Sequence, residues 1–305
     1  MNGRNVAASI RQRILNVSHK TGEDFQLLLN RYAIERLLFR LGESEYSNRF
    51  VLKGAMLFAL WTGEMHRPTR DLDLLGFGDA TAEELARVFH SLCTRAVADD
   101  GLVFDPDTVH VEPIREDQEY GGQRLTLLAR LGTARVNLQV DIGFGDAITP
   151  KAELVSYPTI LEMEPPRLRA YPRETVVAEK LEAMVKLGMA NSRMKDFYDV
   201  FIIARTFQFH GSVLQDAIAA TFARRGTAIP GEAPLALTEE FARDASKQKQ
   251  WQAFTRRSGL GEKVGELEEV VAVLATFLSE PLSELVERRE FSLLWKAGGP
   301  WKPQK

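Results

Sequence analysis

The chain has 305 residues, enough for two units that each bury a core. Hydrophobic residues make up 45% and charged residues 27%, which excludes a disordered or fibrous chain. A formal net charge of −3 excludes a protein that holds nucleic acid by bulk charge, so any contact with a polyanion must be local. No apolar run approaches the roughly 20 residues that cross a bilayer. The single cysteine, Cys93, cannot form an intramolecular disulfide. No Cys/His spacing fits a zinc site, and the stretch Met1 to Val6 does not begin a secretory leader. These features predict a cytoplasmic protein.

In chain order, residues 4–41 place Phe25, Leu28, Leu29, Tyr32, Leu37, Leu38 and Leu41 at helical spacing. They predict an amphipathic helix that Gly42 ends. Residues 49–53 predict a short strand, after which Gly54 opens a helix through Met56, Leu57, Leu60 and Trp61. The run Arg70-Asp71-Leu72-Asp73-Leu74-Leu75 alternates acidic with apolar side chains and predicts a half-buried strand. A helix is expected over 81–98, then strands near 109–111, 123–131 and 134–142. In the last of these, Val136, Leu138 and Val140 alternate with Asn137, Gln139 and Asp141, so Asp141 ends the polar face. Four prolines, Pro158, Pro165, Pro166 and Pro172, put a domain boundary at 157–173. From 174 onward the pattern is helical apart from a Gly/Pro-rich loop at 226–234, and residues 298–305 are expected to fray. The reading is an α/β (α+β) fold. It has an N-terminal helical segment (1–45), a mixed-sheet core (46–170), a C-terminal helical domain (171–295) and a tail (296–305).

The pair Asp71 and Asp73 is the strongest chemical signal, because alternate strand positions set two carboxylates side by side where both can ligate a hard cation such as Mg²⁺. An isolated D-x-D is more often a solvated strand face, so its context decides. Asp141 can supply a third carboxylate if its strand lies beside the first. The other context is Leu52-Lys53-Gly54-Ala55-Met56-Leu57 and Arg67-Pro68-Thr69-Arg70 upstream, then Val177-Ala178-Glu179-Lys180-Leu181 and Arg193-Met194-Lys195-Asp196-Phe197-Tyr198-Asp199 downstream.

In the order and spacing of these motifs, over about residues 49–205, the chain resembles the AbiEii/AbiGii nucleotidyltransferase toxins. This is a branch of the polymerase-beta-like superfamily that includes the MenT toxins. The resemblance implies a nucleotidyltransferase core in which Asp71 and Asp73, with Asp141, ligate Mg²⁺ or Mn²⁺. It gives Gly54 the strand-to-helix turn whose backbone approaches the triphosphate, and places Thr69 and Arg70 at the nucleotide. It matches Lys180 to the lysine that grips the phosphates and Asp196 to the acid of the last motif. One departure stands out: many relatives have Gly-Gly and then a small or hydroxylated residue where this chain has Gly54-Ala55-Met56. The substrate implied is an NTP, the acceptor the 3′ end of tRNA, and the genetic partner an antitoxin in toxin-antitoxin or phage defence.

Each of these residues also has a plainer reading. Lys180 can be a lysine snorkelling from a helix shoulder. Asp196 and Asp199 can be the N-cap and first-turn acids of a helix over 197–205. Thr69 can be a turn residue after Pro68. The arginine pairs 224–225, 256–257 and 288–289 can be solvated faces or, if they converge, a track for RNA. The five histidines show no pairing that marks a metal site or a nucleophile. Two other functions remain open at this level: a catalytically silent NTP-sensing or protein-binding module, and a phosphotransferase acting on the terminal phosphate.

Overall fold

The computed structural model describes residues 3–114, 121–261 and 264–304, with side chains from residue 6 onward. Met1, Asn2 and Lys305 lie outside that range. The chain divides into two compact units, residues 1–145 with 153–170, and residues 146–152 with 171–305.

The first unit begins with two helices, α1 (Gly3–Thr21) and α2 (Phe25–Gly42). The single helix expected over 4–41 is broken because Gly22 takes φ +76° and Asp24 caps α2, its side chain accepting from Leu27 N–H at 3.0 Å. Gly42 ends α2 as expected, and a Cβ there would stand 2.5 Å from the Arg167 carbonyl oxygen. There follow β1 (Phe50–Lys53), α3 (Leu57–Thr62), β2 (Asp71–Gly76), α4 (Ala82–Thr94), β3 (Leu102–Ile114), β4 (Gly122–Leu131), β5 (Ala134–Phe144), β6 (Glu153–Ser156) and β7 (Arg167–Ala170). All seven strands form one mixed sheet in the order β3-β4-β5-β2-β1-β7-β6. The central pairs β2–β5 and β1–β7 are parallel and the others antiparallel. Helix α4 stops at Thr94, short of the expected 98, and β3 extends well beyond the expected 109–111.

Alternation works as the sequence implied. Leu72, Leu74, Val140 and Ile142 are buried, while Asp71, Asp73 and Asp141 between them stay part-exposed. Helix α2 carries polar groups into this core. Arg36 and Arg40 close on Asp100 at 3.3 and 2.6 Å, and Tyr32 donates to the Asp100 carbonyl at 2.7 Å. The proline-rich stretch is ordered because α2 satisfies its backbone: Ile160 N–H donates to Glu35 at 2.8 Å, and Arg36 donates to the Glu164 carbonyl at 2.8 Å.

Glu35 is fully buried, and burial pushes its carboxyl from 4.5 up to about 7 despite the lowering effect of the Ile160 N–H and of Arg36. The folded chain therefore holds this proton more tightly than the unfolded chain. Its contribution to stability falls as pH rises from 4.5 to about 7, by up to about 1.4 kcal/mol per pH unit. Glu35→Gln keeps an acceptor for Ile160 and removes the titration. In urea melts, its stability relative to the wild type is expected to climb across that window and level off above it. A difference that does not change with pH would show that Glu35 is not the titrating group.

The second unit contains α5 (Arg173–Leu187), α6 (Met194–Thr206), β8 (Phe209–His210), α7 (Gly211–Arg224), α8 (Glu239–Arg243), α9 (Ala245–Arg257), α10 (Leu267–Val286), β9 (Leu293–Trp295) and β10 (Trp301–Pro303). The strands β10-β9-β8 form a small sheet, so Trp301–Pro303 of the segment expected to fray are folded. Two tryptophans explain this. Trp295 Nε1 donates to the Ala204 carbonyl at 2.7 Å and Trp301 Nε1 to the Phe277 carbonyl at 3.0 Å, and both rings pack on Phe277. Among the described residues, no helix is long and apolar enough to cross a membrane.

Candidate active site

The strand register assembles a row of charge across the centre of the first unit. Lys53 on β1 pairs with Asp73 on β2, Asp73 pairs with Asp141 on β5, and Asp141 pairs with Arg124 on β4. Paired residues share a face of the sheet, with Cβ atoms about 4.5–5.5 Å apart. Two carboxylates thus lie between two bases. One step along, Asp71 pairs with Gln139 and lies on the same face. The strand carrying Asp141 is therefore the direct neighbour of the strand carrying the acidic pair.

Gly54 fits closely against this row. It takes φ +75°, and a Cβ at that position would lie 1.9 Å from Asp73 Oδ2. The missing side chain is what lets the Asp73 carboxylate lie over the turn. The same conformation delays the helix expected from Gly54: residues 54–56 form a turn, with Leu57 N–H on the Gly54 carbonyl at 3.3 Å, and α3 starts only at Leu57. Thr69 donates to the Asp71 carbonyl at 3.4 Å, as a turn residue does, and Arg70 beside it is exposed.

The donor chemistry suits a hard divalent ion, because Mg²⁺ is commonly held by one or two carboxylates and completed by substrate phosphates and water. Asp71 and Asp73 supply that pair on one face, and Gly54 is the cradle that seats the second of them. At Asp141 both oxygens accept from Arg124, at 2.9 and 2.8 Å, and Gln139 Nε2 lies 3.2 Å from Oδ1. Among the described residues, no group of three His, Cys, Asp or Glu side chains is arranged to hold a metal ion.

In the second unit, Lys180 on α5 turns inward. Its ammonium lies 2.5 Å from Asp196 Oδ1 and 3.0 Å from Asp199 Oδ2, both carboxylates being buried, and Arg193 Nε reaches Asp196 Oδ2 at 2.9 Å. This departs from the snorkelling picture, in which the head group stays in water. Asp196 is not a cap either, since α6 begins at Met194 with Arg193 before it. Lys180, Arg193, Asp196 and Asp199 thus form one ion cluster.

The arginine pairs do not behave as one set. Arg225 is drawn inward by Asp146, Glu182 and Glu179 at 2.9, 2.9 and 3.5 Å, and Arg289 is occupied by Glu284 at 2.7 Å. Arg256 and Arg257 are exposed at the end of α9. Sequence reasoning missed Arg124, Gln139 and Lys53 as members of the site. Gln139 sits on the polar face already noted for β5, but Arg124 and Lys53 emerge only from the register.

The first unit thus sets an acidic pair beside a glycine turn and a third acid on the neighbouring strand of a seven-stranded mixed sheet. A family model described as "Nucleotidyl transferase AbiEii toxin, Type IV TA system" matches residues 36–275, and the chain belongs to that family. It is a nucleotidyltransferase of a toxin-antitoxin family, for which an NTP is the substrate and an antitoxin the partner. Two solved structures share the fold. One is a candidate nucleotidyltransferase from H. pylori, 15% identical, with a TM-score of 0.51 over 87% of this chain and 98% of that one. The other, JHP933 from Helicobacter pylori, has the same identity and TM-score and covers 87% and 95%. No curated protein matches significantly.

Proposed function

We propose that this chain transfers a nucleoside monophosphate from an NTP to the 3′-terminal hydroxyl of tRNA, with release of pyrophosphate, and that an antitoxin holds this activity in check. The observation that carries the reading is the row Lys53–Asp73–Asp141–Arg124 with Gly54 set against Asp73. Asp71 and Asp73 would hold the divalent ion, Mg²⁺ or Mn²⁺, with Asp141 as a third ligand. When bound, such an ion neutralises phosphate charge and favours an ionised attacking hydroxyl. The residues themselves act by placement: the Gly54 turn leaves room for the polyphosphate backbone to approach, and Thr69 and Arg70 flank the acidic strand. Lys180 is given the nucleotide phosphates, with Asp196 and Asp199 fixing its direction. Charges fixed beforehand stabilise the developing charge on the leaving pyrophosphate without reorganising during the reaction.

The acceptor is tested by incubating the protein and Mg²⁺ with each NTP labelled at the α-phosphate, a mature tRNA pool, and separately a protein lysate free of RNA. Label is expected at the tRNA 3′ end and is expected to be lost when that end is oxidised with periodate beforehand. Raising salt should reduce the transfer. Label on protein alone would reject tRNA as acceptor.

A further inference from the structure

Asp141 is gripped from two directions, by the Arg124 guanidinium fork at 2.9 and 2.8 Å and by Gln139 Nε2 at 3.2 and 3.4 Å from its two oxygens. The guanidinium fork occupies one lone pair on each oxygen and sets a positive charge against the carboxylate, so the closed fork opposes a divalent cation at Asp141. Arg124 is also free to leave. Its side chain is 36% exposed against 21% for Asp141, so swinging away moves the charge into water and opens no core. After it leaves, Gln139 still reaches Asp141, which pairs directly with Asp73. A guanidinium is always protonated in proteins. It remains a full cation wherever it goes, which suits it to a phosphate oxygen.

We propose that Arg124 is an exchangeable counter-ion: it closes Asp141 in the free protein, and passes to a substrate phosphate when Asp141 turns to a cation held by Asp71 and Asp73. This rests on the nucleotidyl-transfer reading and adds to it a positioning residue whose partner changes during the cycle. It has a signature that a purely structural ion pair lacks, because removing the guanidinium pushes two affinities in opposite directions. Cation binding without nucleotide tightens, since a competitor is gone. Polyphosphate binding weakens, since its new partner is gone.

The test is Mn²⁺ binding to the full chain without nucleotide, followed by the electron paramagnetic resonance signal of free Mn²⁺, with inorganic tripolyphosphate binding measured by calorimetry. Arg124→Gln is expected to tighten Mn²⁺ on the order of tenfold, the scale of one charge-assisted pair, and to weaken tripolyphosphate. Arg124→Lys, which keeps the charge but not the fork, should fall between the two and guards against a folding defect in the first variant. Adding Asp141→Asn to Arg124→Gln should cancel the tightening. Unchanged or weaker Mn²⁺ binding in both Arg124 variants, with binding still dependent on Asp73, would overturn the counter-ion role alone. Mn²⁺ binding indifferent to Asp71 and Asp73 would overturn the metal reading beneath it.

Discussion

Asp73→Asn is expected to lower nucleotidyl transfer on the order of 10³-fold while leaving the fold intact, since on the proposed reading it removes a charged ligand of the divalent ion. Asp73 is part-exposed and sits beside Asp141, so removing its charge also relieves a like-charge contact, and far-UV circular dichroism should be unchanged. Gly54→Ala reaches the same carboxylate by another route. Its Cβ would lie 1.9 Å from Asp73 Oδ2 at φ +75°, so the carboxylate or the turn must move although every charge remains. Comparable loss in both variants, with Mn²⁺ binding weakened in both, is the expected result. Full activity in Gly54→Ala would show that the close approach has no part in catalysis.

Lys180→Met is expected to destabilise the second unit by about 3–5 kcal/mol, because it takes the ammonium away from two buried carboxylates. Asp196 and Asp199 are each 2% exposed and Lys180 16%, so solvent screens this cluster little. Arg193, 39% exposed, still reaches Asp196 and offsets part of the cost. Denaturant melts measure the loss. Kinetics at a temperature where the variant is still folded then separate the two roles of Lys180. If the ammonium meets the nucleotide phosphates, KM rises and kcat falls together. Normal kinetics on a destabilised protein would confine Lys180 to the ion cluster.

Much of this site was legible in the sequence, and the limits are physical ones. Alternation of Asp71, Leu72, Asp73 and Leu74 placed two carboxylates on one face, because the side-chain period of a strand is local. Asp141 was reachable by the same argument, though its place beside β2 depended on a strand order that alternation does not encode. Arg124 and Lys53 belong to the row only through pairing between strands distant in sequence. For Lys180 a solvated helix shoulder was the plainer of two readings, and for Arg225 a solvated face was the default. The structure turns both inward, because the carboxylates that draw them come from other segments. In the fold, the break at Gly22 was masked by helical spacing on either side of it. The terminal strands β9 and β10 are too short for periodicity and depend on two buried tryptophans.

The central claim is that the acceptor attacks the α-phosphorus of an NTP. It is tested most directly by running matched reactions with Mg²⁺ and tRNA in which the NTP is labelled at either the α- or the γ-phosphate. Attack at the α-phosphorus forms the new P–O bond there and breaks the bond to the β-phosphate oxygen. The α-label must therefore join the acceptor and the γ-label must leave as pyrophosphate, with both signals lost in Asp73→Asn. A γ-label found on any acceptor would contradict the account and make this protein a phosphotransferase.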